Sequence, residues 1–348
     1  MSSVKVTNAD VKGTFLDKGE AMKKQYDVVA LGELLIDFTE NGISGQGNAM
    51  FEANPGGAPC NVLAMLQKLG HKTAFLGKVG DDIFGHRLGA VLDEVGIDRS
   101  GLMMDDKVRT TLAFVETKLD GDRDFSFYRN PGADMMLREE ELCEEVIRSA
   151  KIFHFGTLSM THEPVRSATK RAIAVAKEAG ALISFDPNLR EPLWDSLELA
   201  KEQVRYGLSV CDVLKISDNE ILWLTGKTDY NEGIRMVQEE FQIPLIMLSM
   251  GRDGSRAYFG DEMVEVASFL QENTIETTGA GDTFGGCCLH YLLEQDITDL
   301  YETKLSEVQL TEMLMFANAA ASIITTRKGA LRVMPERDEI EALVYGGR

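Results

Sequence analysis

The stretch ETTGAGDTFGGCC, residues 276–288, places Gly279, Ala280 and Gly281 before a single acid, Asp282, and Gly285 and Gly286 just after it. Glycine loses more backbone freedom on folding than any other residue. A run like this belongs where the chain turns sharply or another group comes close. Beyond the acid, the spacing of Phe284, Cys288, Tyr291, Leu292 and Gln295 predicts a helix with one apolar face. Gly-Ala-Gly-Asp then stands at the helix N-terminus, where unpaired N–H groups and the positive end of the dipole bind anions. Asp282 at that point could take the proton of a hydroxyl attacking a phosphoryl group. The same residues also fit a plain helix cap on a glycine turn, and this stretch alone leaves both readings open.

Working outward, short apolar runs alternate with helical patterns. Strands are predicted at 27–32, 73–80, 152–156, 182–186, 212–217 and 244–251, with a further short one at 261–267. Several are apolar without alternation, as in strands covered on both faces. Helices lie between them. PCNVLAMLQKLG has Pro59 near its start and Gly70 as its stop, and two others end at Gly96 and Gly180. This rhythm predicts an α/β fold with a doubly wound, mostly parallel sheet in three layers. The segment 110–130 breaks it, alternating around Asp120-Gly121 as a hairpin does. With the extended stretch 39–54 it predicts a small β-sheet lid, its segments spanning about 39–54 and 109–131. Residues 1–24 are polar and weakly patterned and are expected to form a loosely ordered extension, with one domain over 25–348.

The chain of 348 residues is 44% hydrophobic and carries a formal net charge of -20. That field disfavours nucleic acid and anionic membrane surfaces, so an anionic ligand needs a locally positive site. Cys60, Cys143, Cys211, Cys287 and Cys288 are odd in number and lack C-x-x-C spacing, which reads as reduced thiols in a cytoplasmic protein. No apolar run reaches the roughly 18 residues of a membrane span. A Walker A loop is excluded because Ile221 stands where TGKT at 225–228 needs a glycine, and no G-x-G-x-x-G follows a strand. The missing fingerprint also argues against a dinucleotide-dependent oxidoreductase.

A second glycine pair, Gly56-Gly57 in NPGGAPCN, leads into a helix with Asn61 one turn in. Such a pair lets a ligand approach the backbone, and Asn gives a polyol both a donor and an acceptor. A tight helix-entry turn is the plainer reading. Asp37 follows the first strand, near the carboxyl edge where α/β sheets bind ligands.

PGGAPCNVLAMLQKLG and ETTGAGDTFGG resemble the two signature regions of the ribokinase-like (PfkB) carbohydrate kinases. GKVGDDIFG, DPNLREPLW, KISDNEILWLTG, SMGRDGS and NAAASIITTRKGA match between and after them. The resemblance runs from about Tyr26 to Pro335, and FYRNPGADMML and DPNLREPLW are most similar to fructokinases. It implies transfer of the γ-phosphoryl of ATP to a sugar hydroxyl, and the likeness to fructokinases implies fructose 6-phosphate made from fructose. Kinases of 2-keto-3-deoxygluconate, ribose or a nucleoside are the alternatives within the family. A catalytically silent sugar-binding homologue is a further one, against which the intact Gly-Ala-Gly-Asp argues.

By motif position the resemblance implies that Asp282 is the catalytic base and that Gly279, Ala280 and Gly281 form the anion hole. Asp37, Gly56, Gly57, Asn61, Arg129 and Arg190 are implied on the sugar and its phosphate, with Arg129 on the lid. Lys215, Glu220, Ser249, Gly251, Gly254 and Asn318 are implied on the nucleotide side, Glu220 reaching Mg2+ through water. Glu276 and Thr278 are candidate ligands of a monovalent cation such as K+. Glu276 stands where the family usually has Asp, and Ser217 where it often has Asn. ATP and Mg2+ are the implied cofactors, and a homodimer joined through the lid is a further expectation.

Overall fold

Tyr26–Leu31 (β1) is apolar on both faces: Val28 and Ala30 enter one hydrophobic core, Val29 and Leu31 the other. That pattern requires a strand covered on both sides. The computed structural model describes residues 24–117 and 123–346. β2 (Leu35–Ile43), β3 (Ala49–Gly56), α1 (Ala58–Lys68), β4 (Thr73–Gly80), α2 (Ile83–Val95) and β5 (Asp98–Asp105) follow β1. β6 (Leu112–Thr117) and β7 (Arg123–Tyr128) pair antiparallel. Then come α3 (Glu144–Arg148), β8 (Ala150–Gly156), α4 (Val165–Glu178), β9 (Leu182–Asp186), α5 (Leu197–Val210) and β10 (Val213–Ser217). The remainder is α6 (Asp218–Thr225), α7 (Tyr230–Phe241), β11 (Leu245–Ser249), β12 (Ser255–Phe259), β13 (Glu262–Val266), α8 (Ala280–Glu294), α9 (Glu307–Ile324) and α10 (Arg337–Tyr345).

The main sheet has nine strands in the order β13-β12-β11-β10-β9-β8-β1-β4-β5. From β11 to β5 every pairing is parallel, and β12 and β13 add an antiparallel edge. The winding reverses between β1 and β8. One run of crossovers goes outward to β4 and β5, the other to β9, β10 and β11. At such a reversal the connections diverge and leave a crevice at the carboxyl ends of the strands. The architecture is thus the mostly parallel, doubly wound sheet expected.

A four-stranded sheet, β3-β2-β6-β7, forms the lid. Its strands begin at Leu35, before the expected 39–54, and β6 lies parallel to β2. The hairpin turn expected at Asp120-Gly121 and the extension up to residue 23 lie outside the described residues. Lys24 is described, and its ammonium bonds the carbonyls of Arg148 and Ala179 at 3.2 and 2.7 Å. Two strands escaped the sequence reading. β5 carries charges and Gly101 and lies at the sheet edge, and β12 follows directly on the turn of Gly251–Asp253. Neither shows a clear apolar run. Among the described residues no helix is long and apolar enough to cross a membrane.

Candidate active site

Two helix N-termini converge on the crevice. α8 opens at Gly279, whose φ of 75° lies in the left-handed region that costs an ordinary residue strain. α1 opens at Gly57, with φ 131°, and the Glu33 carboxylate accepts the Ala58 N–H at 2.8 Å. The two helices pack closely because Gly286 has no side chain. A Cβ there would lie 3.1 Å from Met65 Cβ and 3.2 Å from the Val62 carbonyl. This contact sets Asn61 against Asp282, its Nδ2 donating to the carboxylate at 2.7 Å. Asn61 Oδ1 is buried without a partner among the described residues.

Asp282 is buried, and its pKa is pushed up to about 6, first by burial and then by the like charge of Asp186. The Asn61 bond, Lys215 and Arg190 work the other way. A carboxylate so placed is a better proton acceptor near neutral pH than an ordinary aspartate. Lys215, on β10, pairs with Asp186 at the end of β9 at 3.0 Å. Burial works against the Lys215 charge, but Asp186, Glu220 and Asp282 outweigh it and hold its pKa above the ordinary lysine value. A Cβ on Gly281 would come within 3.1 Å of Lys215 Nζ, so the ammonium stands at the mouth of the α8 turn. Ala280 N–H is turned toward the Thr277 carbonyl at 3.2 Å, and Thr283 N–H bonds Gly279 O. By helix geometry the N–H groups of Gly281 and Asp282 between them have no intrahelical acceptor, the condition for meeting an anion, whereas the Ala280 N–H of the expected Gly279–Ala280–Gly281 hole is already engaged.

Asp37 on β2 sits opposite Asn54, its carboxylate lying over Gly56 where a Cβ would collide with it. Arg129 follows β7. Its guanidinium pairs with Asp134 at 2.7 Å and donates to Thr161 Oγ1 and the Leu158 carbonyl. The Arg190 charge is felt at Asp282, while its Nη1 donates to the Leu189 carbonyl at 3.2 Å. Glu220 caps α6, accepting from Ser217 N–H and Oγ at 2.8 Å, and also takes the Leu189 N–H. Ser249 pairs in register with both Ser217 and Ser255, next to Gly251 and Gly254. Asn318 of α9 locks that edge, accepting from Ser255 and donating to the carbonyls of Val266 and Ala267. Glu276 Oε1 accepts the Gly329 N–H at 2.7 Å. A cleft of about 420 Å³ opens beside Arg129, walled by Phe127, His162 and Trp194, but Asp282, Asn61 and Asp37 do not line it.

Residues 25–337 match the pfkB family of carbohydrate kinases. A probable fructokinase-2 of Arabidopsis thaliana is 45% identical over 320 residues, covering 91% of this chain and 95% of that protein. The crystal structure of the Xylella fastidiosa fructokinase with bound ATP superposes with a TM-score of 0.83 at 30% identity, covering 92% of this chain and 99% of that one. A double mutant of the Vibrio cholerae O395 fructokinase, bound to fructose, ADP and potassium ion, superposes with a TM-score of 0.80 at 29% identity, over 94% and 100% of the two chains. This chain is a pfkB family carbohydrate kinase.

Three acids of the kinase escaped the sequence reading. Asp186 closes the apolar run LISFD at the carboxyl end of a central strand, the same signal that singled out Asp37, and it joins Lys215 to the site. Glu33 and Asp134 are buried, and burial pushes Glu33 up to about 7. Nothing in their local sequence marks them, because their partners, Ala58 and Arg129, lie in other elements or across a turn.

Proposed function

We propose that the chain transfers the γ-phosphoryl of ATP to a hydroxyl of fructose, giving fructose 6-phosphate and ADP. The observation that carries this reading is the buried Asp282 at the N-terminus of α8, held by Asn61 and flanked by Lys215. The sugar hydroxyl passes its proton to Asp282 as its oxygen bonds to the γ-phosphorus, and the bond from that phosphorus to the bridging oxygen breaks to release ADP. The N–H groups of Gly281 and Asp282 and the Lys215 ammonium stabilise the charge on the transferring group. Asp37, Gly56, Gly57, Asn61, Arg129 and Arg190 are the proposed sugar side. Ser249, Gly251, Gly254 and Asn318 are the proposed nucleotide side.

Mg2+ fits the donor set, since Asp186 and Glu220 bring carboxylate oxygens around the buried Lys215, the ligand chemistry of a hard cation. Glu220 would hold it through water and Asp186 would stand beside it, and the ion would supply positive charge to neutralise the phosphates. K+ at Glu276 and Thr278 belongs to the same reading, supported by the potassium-bound relative. Exposed Ile43, Met50, Phe51 and Tyr128 on the lid support a homodimer joined through that sheet, as an apolar patch of this kind marks an interface. The five free cysteines support a cytoplasmic location.

An ADP-release assay over fructose, ribose, 2-keto-3-deoxygluconate and a nucleoside tests the reading. Fructose is expected to give a kcat/KM at least about 10²-fold above the others, since each hydroxyl-binding group left unpaired costs about 1–3 kcal/mol. A preference for any of the other three refutes it.

A further inference from the structure

His71, in the turn between α1 and β4, and His290, on α8, meet outside the site described above, with His71 Nε2 and His290 Nδ1 2.7 Å apart. Glu294 follows His290 by one helical turn, and one ligand atom from each of the three residues lies within 4.8 Å of the others. Side chains four residues apart on a helix project from one face, so His290 and Glu294 can address a single point. Two imidazoles and a carboxylate make the donor set of a borderline divalent transition ion. We propose that His71, His290 and Glu294 form a second, non-catalytic site for a divalent transition ion of the Zn2+ type, with Arg337 as the ion's competitor.

The surroundings are those of a ligand set. Asp27 Oδ2 lies 3.6 Å from His71 Nδ1 and is itself held by the Lys72 N–H and by Lys151. A carboxylate behind an imidazole keeps the proton on the far nitrogen and turns the other lone pair to the metal. His290 is buried, and its ring is braced by Phe316 at 5.5 Å between centroids. The Glu294 side chain is half exposed and gives the ion its route in. Bonds of about 2.0–2.1 Å to two nitrogens ask the imidazoles to part to roughly 3.3 Å, a small ring rotation for His71 in its turn.

Arg337 Nη2 stands 3.3 Å from His290 Nε2 and 3.7 Å from Glu294. It has a second carboxylate, Glu341, within 3.8 Å and can transfer its charge there when Glu294 turns to the ion. The ion would clamp α8 to the β1–β4 side of the sheet. His290 lies eight residues along α8 from Asp282, about 12 Å of helix, so the clamp braces the helix from behind its catalytic end.

The test uses the full chain, stripped with a chelator and kept free of ATP and Mg2+. It is titrated with Co2+, whose visible spectrum reports a low-coordinate nitrogen and oxygen site, and with Zn2+ by calorimetry and thermal melting. One ion per chain and a raised Tm are expected. Glu294→Gln, at a half-exposed position, should weaken binding at least about tenfold. Arg337→Gln should tighten it, and Asp282→Asn should leave it unchanged. No stoichiometric binding overturns the proposal and makes the His71–His290 contact a hydrogen bond only. Binding that survives both Glu294→Gln and His290→Gln, or disappears with Asp282→Asn, assigns the ion to the catalytic carboxylates and overturns it as well.

Discussion

Asn61 Nδ2 donates to the Asp282 carboxylate at 2.7 Å, tying the glycine turn of α1 to that of α8 across 221 residues. The bond lowers the proton affinity of the proposed base, and Oδ1, without a partner among the described residues, is left for the proposed contact to a sugar hydroxyl. Asn61→Ala should therefore do two things. The KM for fructose should rise about tenfold, the scale of one lost hydrogen bond, and the acid limb of kcat/KM should move to higher pH. If neither changes, Asn61 is a packing residue.

Asp282 must be ionised to accept a proton, and its pKa is raised to about 6. kcat/KM should rise with pH through about 6. Asp282→Asn should cut kcat at least about 10²-fold with KM little changed. Stability carries the opposite sign. A carboxyl whose folded pKa lies above its unfolded value stabilises the fold below the unfolded pKa and loses that contribution as pH rises through the folded one. Asp282→Asn should thus raise Tm at pH 8 and not at pH 4. A fall in Tm at pH 8 would show that the ionised carboxylate stabilises its surroundings.

The parts of this site legible in the sequence are those in which a local pattern has a local cause. Gly279 and Gly57 were visible because positive φ selects glycine, and Asp282 because it follows such a turn on an apolar helix face. β1, β4, β9 and β11 were visible because both their faces are buried. β5 and β12 were not, since an exposed edge and a short strand after a turn need no apolar run. Neither Glu33 nor Asp134 could be read, as each is defined by a partner that only the fold supplies. Gly286 was noticed as one of a cluster, yet its reason, the approach of Met65, lies in another helix.

Asp186 holds Lys215 at 3.0 Å and raises the pKa of Asp282 by like charge. Asp186→Asn removes that charge and frees the Lys215 charge to act on Asp282. Both effects lower the pKa of the base, so the acid limb of kcat/KM should shift to lower pH. The plateau should also fall, because the ammonium loses its anchor beside Gly281. An unmoved limb with reduced activity would mean that Asp186 only shapes the fold.

Glu276 has one methylene more than the Asp usual in the family, and its Oε1 accepts the Gly329 N–H at 2.7 Å. A carboxylate oxygen already engaged with the backbone is a weaker ligand for a monovalent cation. Titrating K+ against Na+ at fixed ionic strength should show only a small activation. A large saturable response to K+ would show that the loop holds the cation regardless.

Arg129 and Asp134 form a buried pair whose side chains are each 2% exposed. Asp134 also accepts from Thr111 Oγ1 at 2.5 Å, so this pair anchors the end of β7 to the start of β6. Removing one member of a buried pair leaves the other charge uncompensated and costs about 3–5 kcal/mol, whereas replacing both with apolar residues is often close to neutral. Arg129→Met should lower Tm sharply, and adding Asp134→Leu should recover most of the loss. The double variant then separates the two roles of Arg129. With stability restored, a contact to the sugar shows as a raised KM for fructose at near-normal kcat, while a purely structural pair leaves KM unchanged. Both variants are compared by thermal melting before their kinetics are measured, because a low Tm in the single variant would otherwise pass for a loss of sugar affinity.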